Sequence, residues 1–117
     1  MIKMGNLKNK KRIYTCQQME SKILKDNPSI STTKFIKQCP QDHYKGAMVV
    51  DTENTYHFYR QDNKIIWSHK PGTLPITDKD AQNRIIFIPH FSDRNYAKAH
   101  SKGSKINYKD FCGYYCI

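Results

Sequence analysis

No apolar run in this sequence is longer than four residues, and Ala47-Met48-Val49-Val50 is typical of them. That length suits a strand and falls far short of the roughly 20 residues a membrane span needs. The basic N-terminus is not followed by an apolar region, so no secretory signal is expected. Phosphate-binding glycine loops and zinc-protease motifs are absent. Asp78, Asp80 and Asp93 lend acidity to one stretch, but without calcium-loop spacing. Internal repeats and low-complexity tracts are also missing. Four cysteines, Cys16, Cys39, Cys112 and Cys116, are too few and too scattered to announce a disulfide scaffold. Reduced thiols and a reducing, intracellular setting at synthesis are the expectation.

Acidic residues are scarce as well, ten against twenty lysines and arginines, for a net charge of +10. The excess is unevenly placed: +5 in residues 1–12, +1 in 13–60 and +4 in 61–117. Lys8, Lys10, Lys11 and Arg12 belong to a first segment with no periodic apolar pattern, read as a flexible basic arm. Such an arm can hold nucleic acid or another polyanion, and it also fits a plain solvated tail. With 117 residues, 38% of them apolar, the remainder (13–117) reads as one domain with a modest core. Fourteen aromatics, eight of them tyrosine, must supply much of that core.

A helix start is well marked. Thr15 stands at a cap with Gln18 three residues on, and Tyr14 and Met19 are spaced as a hydrophobic staple. Met19, Ile23 and Leu24 continue the apolar face until Asn27-Pro28 stops it. A second, shorter helix is predicted from Ser31 or Thr32 to before Pro40. The period then changes to two. Lys45–Val50 reads as a strand, and Asp51-Thr52-Glu53-Asn54 as a turn. Thr55–Arg60 and Lys64–His69 read as a hairpin closed by Pro71-Gly72. Ile85–Ile88 suits an edge strand, Asn95–Ala99 a helical turn, and Phe111–Ile117 a last strand. Helices first and strands afterwards predict an α+β fold: two N-terminal helices packed on an antiparallel sheet of about four strands.

Cys16 falls at the first turn of the first helix, where unpaired backbone donors favour a thiolate. A thiol hydrolase needs that nucleophile, a histidine base and an orienting group. His57 and His69 lie on the two arms of the hairpin. A three-residue loop would pair His57 with Trp67 and set His57, Tyr59, Trp67 and His69 on one face, the imidazoles as diagonal neighbours. A loop of even length would separate them. Tyr59 and Trp67 would then line a substrate site. Against this, Cys16 shares a helical face with Met19 and Ile23, as a small core residue would. A zinc reading joins Cys39, His43, Cys112 and Cys116. On a strand, however, Cys112 and Cys116 would lie about 13 Å apart, so no metal and no cofactor are expected. Interleaved Tyr56, Phe58, Tyr59, Arg60 and Trp67 would form a base-stacking platform only on an uncovered sheet face.

The stretch Tyr56-His57-Phe58-Tyr59-Arg60-Gln61-Asp62, continued by Trp67-Ser68-His69-Lys70-Pro71-Gly72, carries a resemblance. Ile76-Thr77-Asp78-x-Asp80-Ala81, Ser92-Asp93-Arg94-Asn95-Tyr96 and Asp110-Phe111-Cys112-Gly113-Tyr114-Tyr115-Cys116 extend it over about residues 13–117. This set resembles an uncharacterised protein family of large amoebal DNA viruses (mimivirus-like) with bacterial relatives. The order of helical cysteine and strand histidines is also distantly similar to NlpC-type, papain-like cysteine peptidases. Longer relatives carry an upstream Asn-Cys-Tyr segment as the natural nucleophile, whose place Cys16 would have to take here. Two readings follow. The first is a non-catalytic viral structural or interaction module, in virion or host cytoplasm, binding a virion or host protein or non-specific nucleic acid through its basic surface. The second is a small papain-like thiol hydrolase acting on an amide or ester, with Cys16 as nucleophile, His57 as base and His69 orienting it.

Overall fold

The computed structural model describes residues 13–72, 74–99 and 105–117. Helix α1 spans Cys16–Asp26. Thr15 caps it, its hydroxyl accepting from Gln18 N at 3.1 Å. Tyr14 and buried Met19 pack in one cluster, as a staple should. Asn27 closes the helix by donating to the Ile23 carbonyl from both backbone and side chain.

Five strands follow: β1 (Ser31–Thr33), β2 (Lys45–Asp51), β3 (Thr55–Gln61), β4 (Trp67–Ser68) and β5 (Asp110–Cys116). They form an antiparallel, open sheet in the order β1-β5-β2-β3-β4. A short α2 (Tyr96–Ala99) lies between β4 and β5. The central β2 is buried along its whole length, because both of its own faces are covered. On one side Met48, Val50 and Tyr115 pack with Met19 and Ile23 of α1. On the other, Ala47, Val49, Tyr59, Trp67 and Tyr114 pack with Ile86, Tyr108 and Phe35. A strand covered twice reads as a continuous apolar run rather than an alternating one, which Ala47–Val50 is.

The fold is α+β, with one N-terminal helix where two were expected and five strands where four were. The second predicted helix does not form. Ser31–Thr33 pairs with β5 instead. Beyond it the carbonyls of Lys34, Phe35 and Lys37 converge on the ammonium of buried Lys45, and the one backbone bond of that stretch is a single turn from Lys37 N to the Lys34 carbonyl. That ammonium takes the place of helical hydrogen bonds, which sequence periodicity alone does not reveal. Ile85 and Ile86 make only single bridges, to Lys79 and Trp67, in place of the predicted edge strand.

The cysteines are not reduced. Cys16 is bonded to Cys112 and Cys39 to Cys116. In a regular strand residues 112 and 116 would share a face. The register of β5 against β2 slips between Met48 and Val49. Gly113, at φ +148°, takes the strained backbone there. Cys112 thereby joins the α1 side. Cys116 lies opposite Lys45, on the side of Ala47 and Val49. One covalent staple therefore holds each side of β5. No helix among the described residues is long and apolar enough to cross a membrane. The segment 1–12, with Lys8, Lys10, Lys11 and Arg12, lies outside the described residues.

Candidate functional site

The hairpin delivers its two histidines to each other. β3 meets β4 with Gln61 opposite Trp67, leaving residues 62–66 as the loop. Asn63 organises that loop by accepting from Ile65 N and Ile66 N. The loop is longer than the three residues expected but still odd in number. Parity is preserved, and the imidazoles fall on one face as diagonal neighbours. His57 Nε2 lies 2.8 Å from His69 Nδ1.

The tautomers follow from the next link. His69 Nε2 lies 3.0 Å from the Lys79 carbonyl, which can only accept, so Nε2 carries the proton and Nδ1 the lone pair. His57 Nε2–H must therefore donate to His69 Nδ1. Backbone bonds in both directions between His69 and Thr77 hold the second ring in place. His57 stacks on Tyr108 with ring centres 5.0 Å apart. His69 sits against Tyr59 and within 3.3 Å of the Tyr96 hydroxyl. The Tyr59 hydroxyl is fully buried with no hydrogen bond of regular geometry, and its main interaction beyond burial is with the neighbouring Tyr96.

These surroundings keep the pair neutral. Burial, then the adjacent His69, lowers the His57 pKa to about 4. Burial also lowers that of His69, opposed by the bond to the Lys79 carbonyl and by Asp80. Burial raises the Tyr108 phenol. A general base works best with a pKa near the operating pH, and His57 lies well below it.

Cys16 does not meet this pair. Its sulfur is tied to Cys112, and α1 packs on the side of Met48 and Val50. His57, opposite Val49 in the register, faces the other side. The role of Cys16 as nucleophile is thus corrected twice over, by its bond and by its side of the sheet. Tyr59 and Trp67, expected to line a substrate site, are core residues at 1% and 0% exposure. The zinc reading also gives way, because Cys39, Cys112 and Cys116 are in disulfides while the His43 ring bonds the Gln41 carbonyl. No group of three or more potential ligands gathers among the described residues.

Sequence reasoning passed over Asp80 as mere loop acidity. It is buried and accepts from Gln82 N, Arg84 N and Asp93 N, shaping the loop that presents the Lys79 carbonyl. Arg94 donates to the carbonyls of Pro89, Ser92, Tyr108 and Lys109, tying that loop to the approach of β5. The fold gathers segments 76–81 and 92–96 around His69 through the Lys79 carbonyl and the Tyr96 hydroxyl. These roles depend on contacts across the fold, which spacing along the chain does not mark.

No family model and no solved structure matches this chain. Among curated proteins, a stretch of 48 residues is 42% identical to the insoluble matrix shell protein 1 of Ruditapes philippinarum. The match covers 41% of this chain and 32% of the molluscan protein.

Proposed function

We propose that this chain is a non-catalytic interaction module that holds a polyanionic partner, nucleic acid or an acidic virion protein, through its basic surface. One observation carries the reading. All four cysteine sulfurs are bonded in pairs, and the mutually satisfied imidazoles lie across the sheet from α1, so among the described residues no thiol meets a base. The charge of +10 remains as the dominant chemical feature. The resemblance of residues 56–72 to proteins of large amoebal viruses supports a virion component. The matrix role in the molluscan protein's name points toward a structural part as well. Two disulfides favour an oxidising destination such as a virion over the host cytoplasm. The order of helical cysteine, then two strand histidines, is all that favours the thiol hydrolase.

The test is a salt titration of binding to fluorescein-labelled duplex DNA, with the full chain and with residues 13–117. Each neutralised phosphate contributes a slope of roughly −0.9 in log K against log salt. Removing the five arm charges should flatten the slope by about 4.5. Absence of binding at low salt, or a slope that survives truncation, rejects the proposal.

A further inference from the structure

The side of the sheet that carries α1 is only partly covered. The Cys16–Cys112 bond tethers the helix over β5 and β2, and the segment expected to form a second helix instead runs to the far edge beside β5. Its Phe35 packs on the opposite side. The outer face of β3 and β4 is therefore left open next to the C-terminal end of α1. A groove of about 440 Å³ lies there. Ile23, Ile30, Phe58 and Ile117 contribute apolar walls, and Ile76, 71% exposed, stands at the groove as well.

Charge distinguishes this groove from a plain apolar gap. Arg60 and Lys70 line it, and no acidic residue does. Arg60 shares a face with Phe58 by strand alternation. Its guanidinium lies 4.4 Å from the centre of the Tyr44 ring, which fixes its position. It makes no ion pair among the described residues, whose ion pairs involve Lys22, Lys79 and Arg84. Among the described residues Lys70 Nζ reaches only the Gly72 carbonyl. A positioned, unneutralised guanidinium beside aliphatic walls matches a small molecule with an apolar tail and an anionic head. The volume falls in the range of small-ligand sites. The chain's own basic segment 1–12 has the wrong charge to fill it.

We infer that this groove binds a small amphipathic carboxylate, its tail against Ile23, Phe58 and Ile117 and its head on Arg60. This site is independent of the polyanion reading and uses none of the arm. The test is an NMR titration of the full, oxidised chain at neutral pH with octanoate, 1-octanol and octylammonium. Octanoate should shift the resonances of Ile23, Phe58 and Ile117 saturably, with octylammonium at least about fivefold weaker. Arg60→Gln and Ile76→Asp, both at exposed side chains, should each weaken octanoate by about fivefold with the remaining spectrum unchanged. Equal affinity for the three probes, shifts away from the groove, or an unaffected Arg60→Gln overturns the inference. Association with phosphatidylglycerol vesicles without saturable octanoate binding also overturns it, assigning the surface to a membrane.

Discussion

At the scale of single residues, Lys45 and His57 each turn a polar group into a structural part. Lys45 is 7% exposed, and burial lowers its pKa. Three carbonyls nevertheless surround its ammonium, which is why a lysine tolerates the site. Lys45→Met should leave the Phe35 and Lys37 carbonyls without this donor and lower stability by about 2–4 kcal/mol, read from the urea midpoint. A change under about 0.5 kcal/mol would show that water replaces the ammonium freely. His57 predicts a pH effect whose sign is fixed by its lowered pKa. As pH falls below 6.5 the unfolded chain takes the proton first, so stability drops. The loss levels off once the folded form also protonates, near pH 4. The full loss from this ring is about 3 kcal/mol. Urea midpoints between pH 7 and 4 measure it, and nitrogen-edited spectra should show a neutral His57 protonated on Nε2 at pH 5.5. An imidazole titrating near its ordinary value would refute the buried pair.

At the scale of elements, the bulge in β5 decides which cysteines can meet. It sends Cys112 to α1 and Cys116 to the segment after β1, so the two bonds close separations of 96 and 77 residues. Chain-entropy arguments assign each such closure up to about 4–5 kcal/mol, and measured values are often lower. The double variant Cys16→Ser, Cys112→Ser should therefore lose roughly 2–4 kcal/mol. The unreduced wild type should give no reaction with a thiol reagent in urea; a reactive thiol there would restore Cys16 as a nucleophile. Much at this level was legible in the sequence. Thr15, Met19 and Pro28 bound the first helix through local chemistry. Lys45–Val50, Thr55–Arg60 and Phe111–Ile117 announced three of the strands. The second helix was misread because Lys45, far along the chain, competes for its carbonyls. The disulfides were missed because a one-residue slip in β5 leaves no trace in composition.

At the scale of the whole molecule, half of the candidate site was readable in advance. Strand parity left the meeting of His57 and His69 to the loop length, and the odd loop with Gln61 opposite Trp67 sets them side by side. It could not assign Cys16 to the opposite side, which depends on where α1 docks. Nor could it see Asp80, Tyr96 and Tyr108 arriving from distant loops. The strand order has a consequence for synthesis. β5 is the latest of the described strands in sequence, yet it lies between β1 and β2, so no strand pairing joins those two until it has been translated. A nascent chain ending at β4 would leave the ribosome with an unzipped apolar edge on β2. That edge is covered only once β5 has emerged and paired with it.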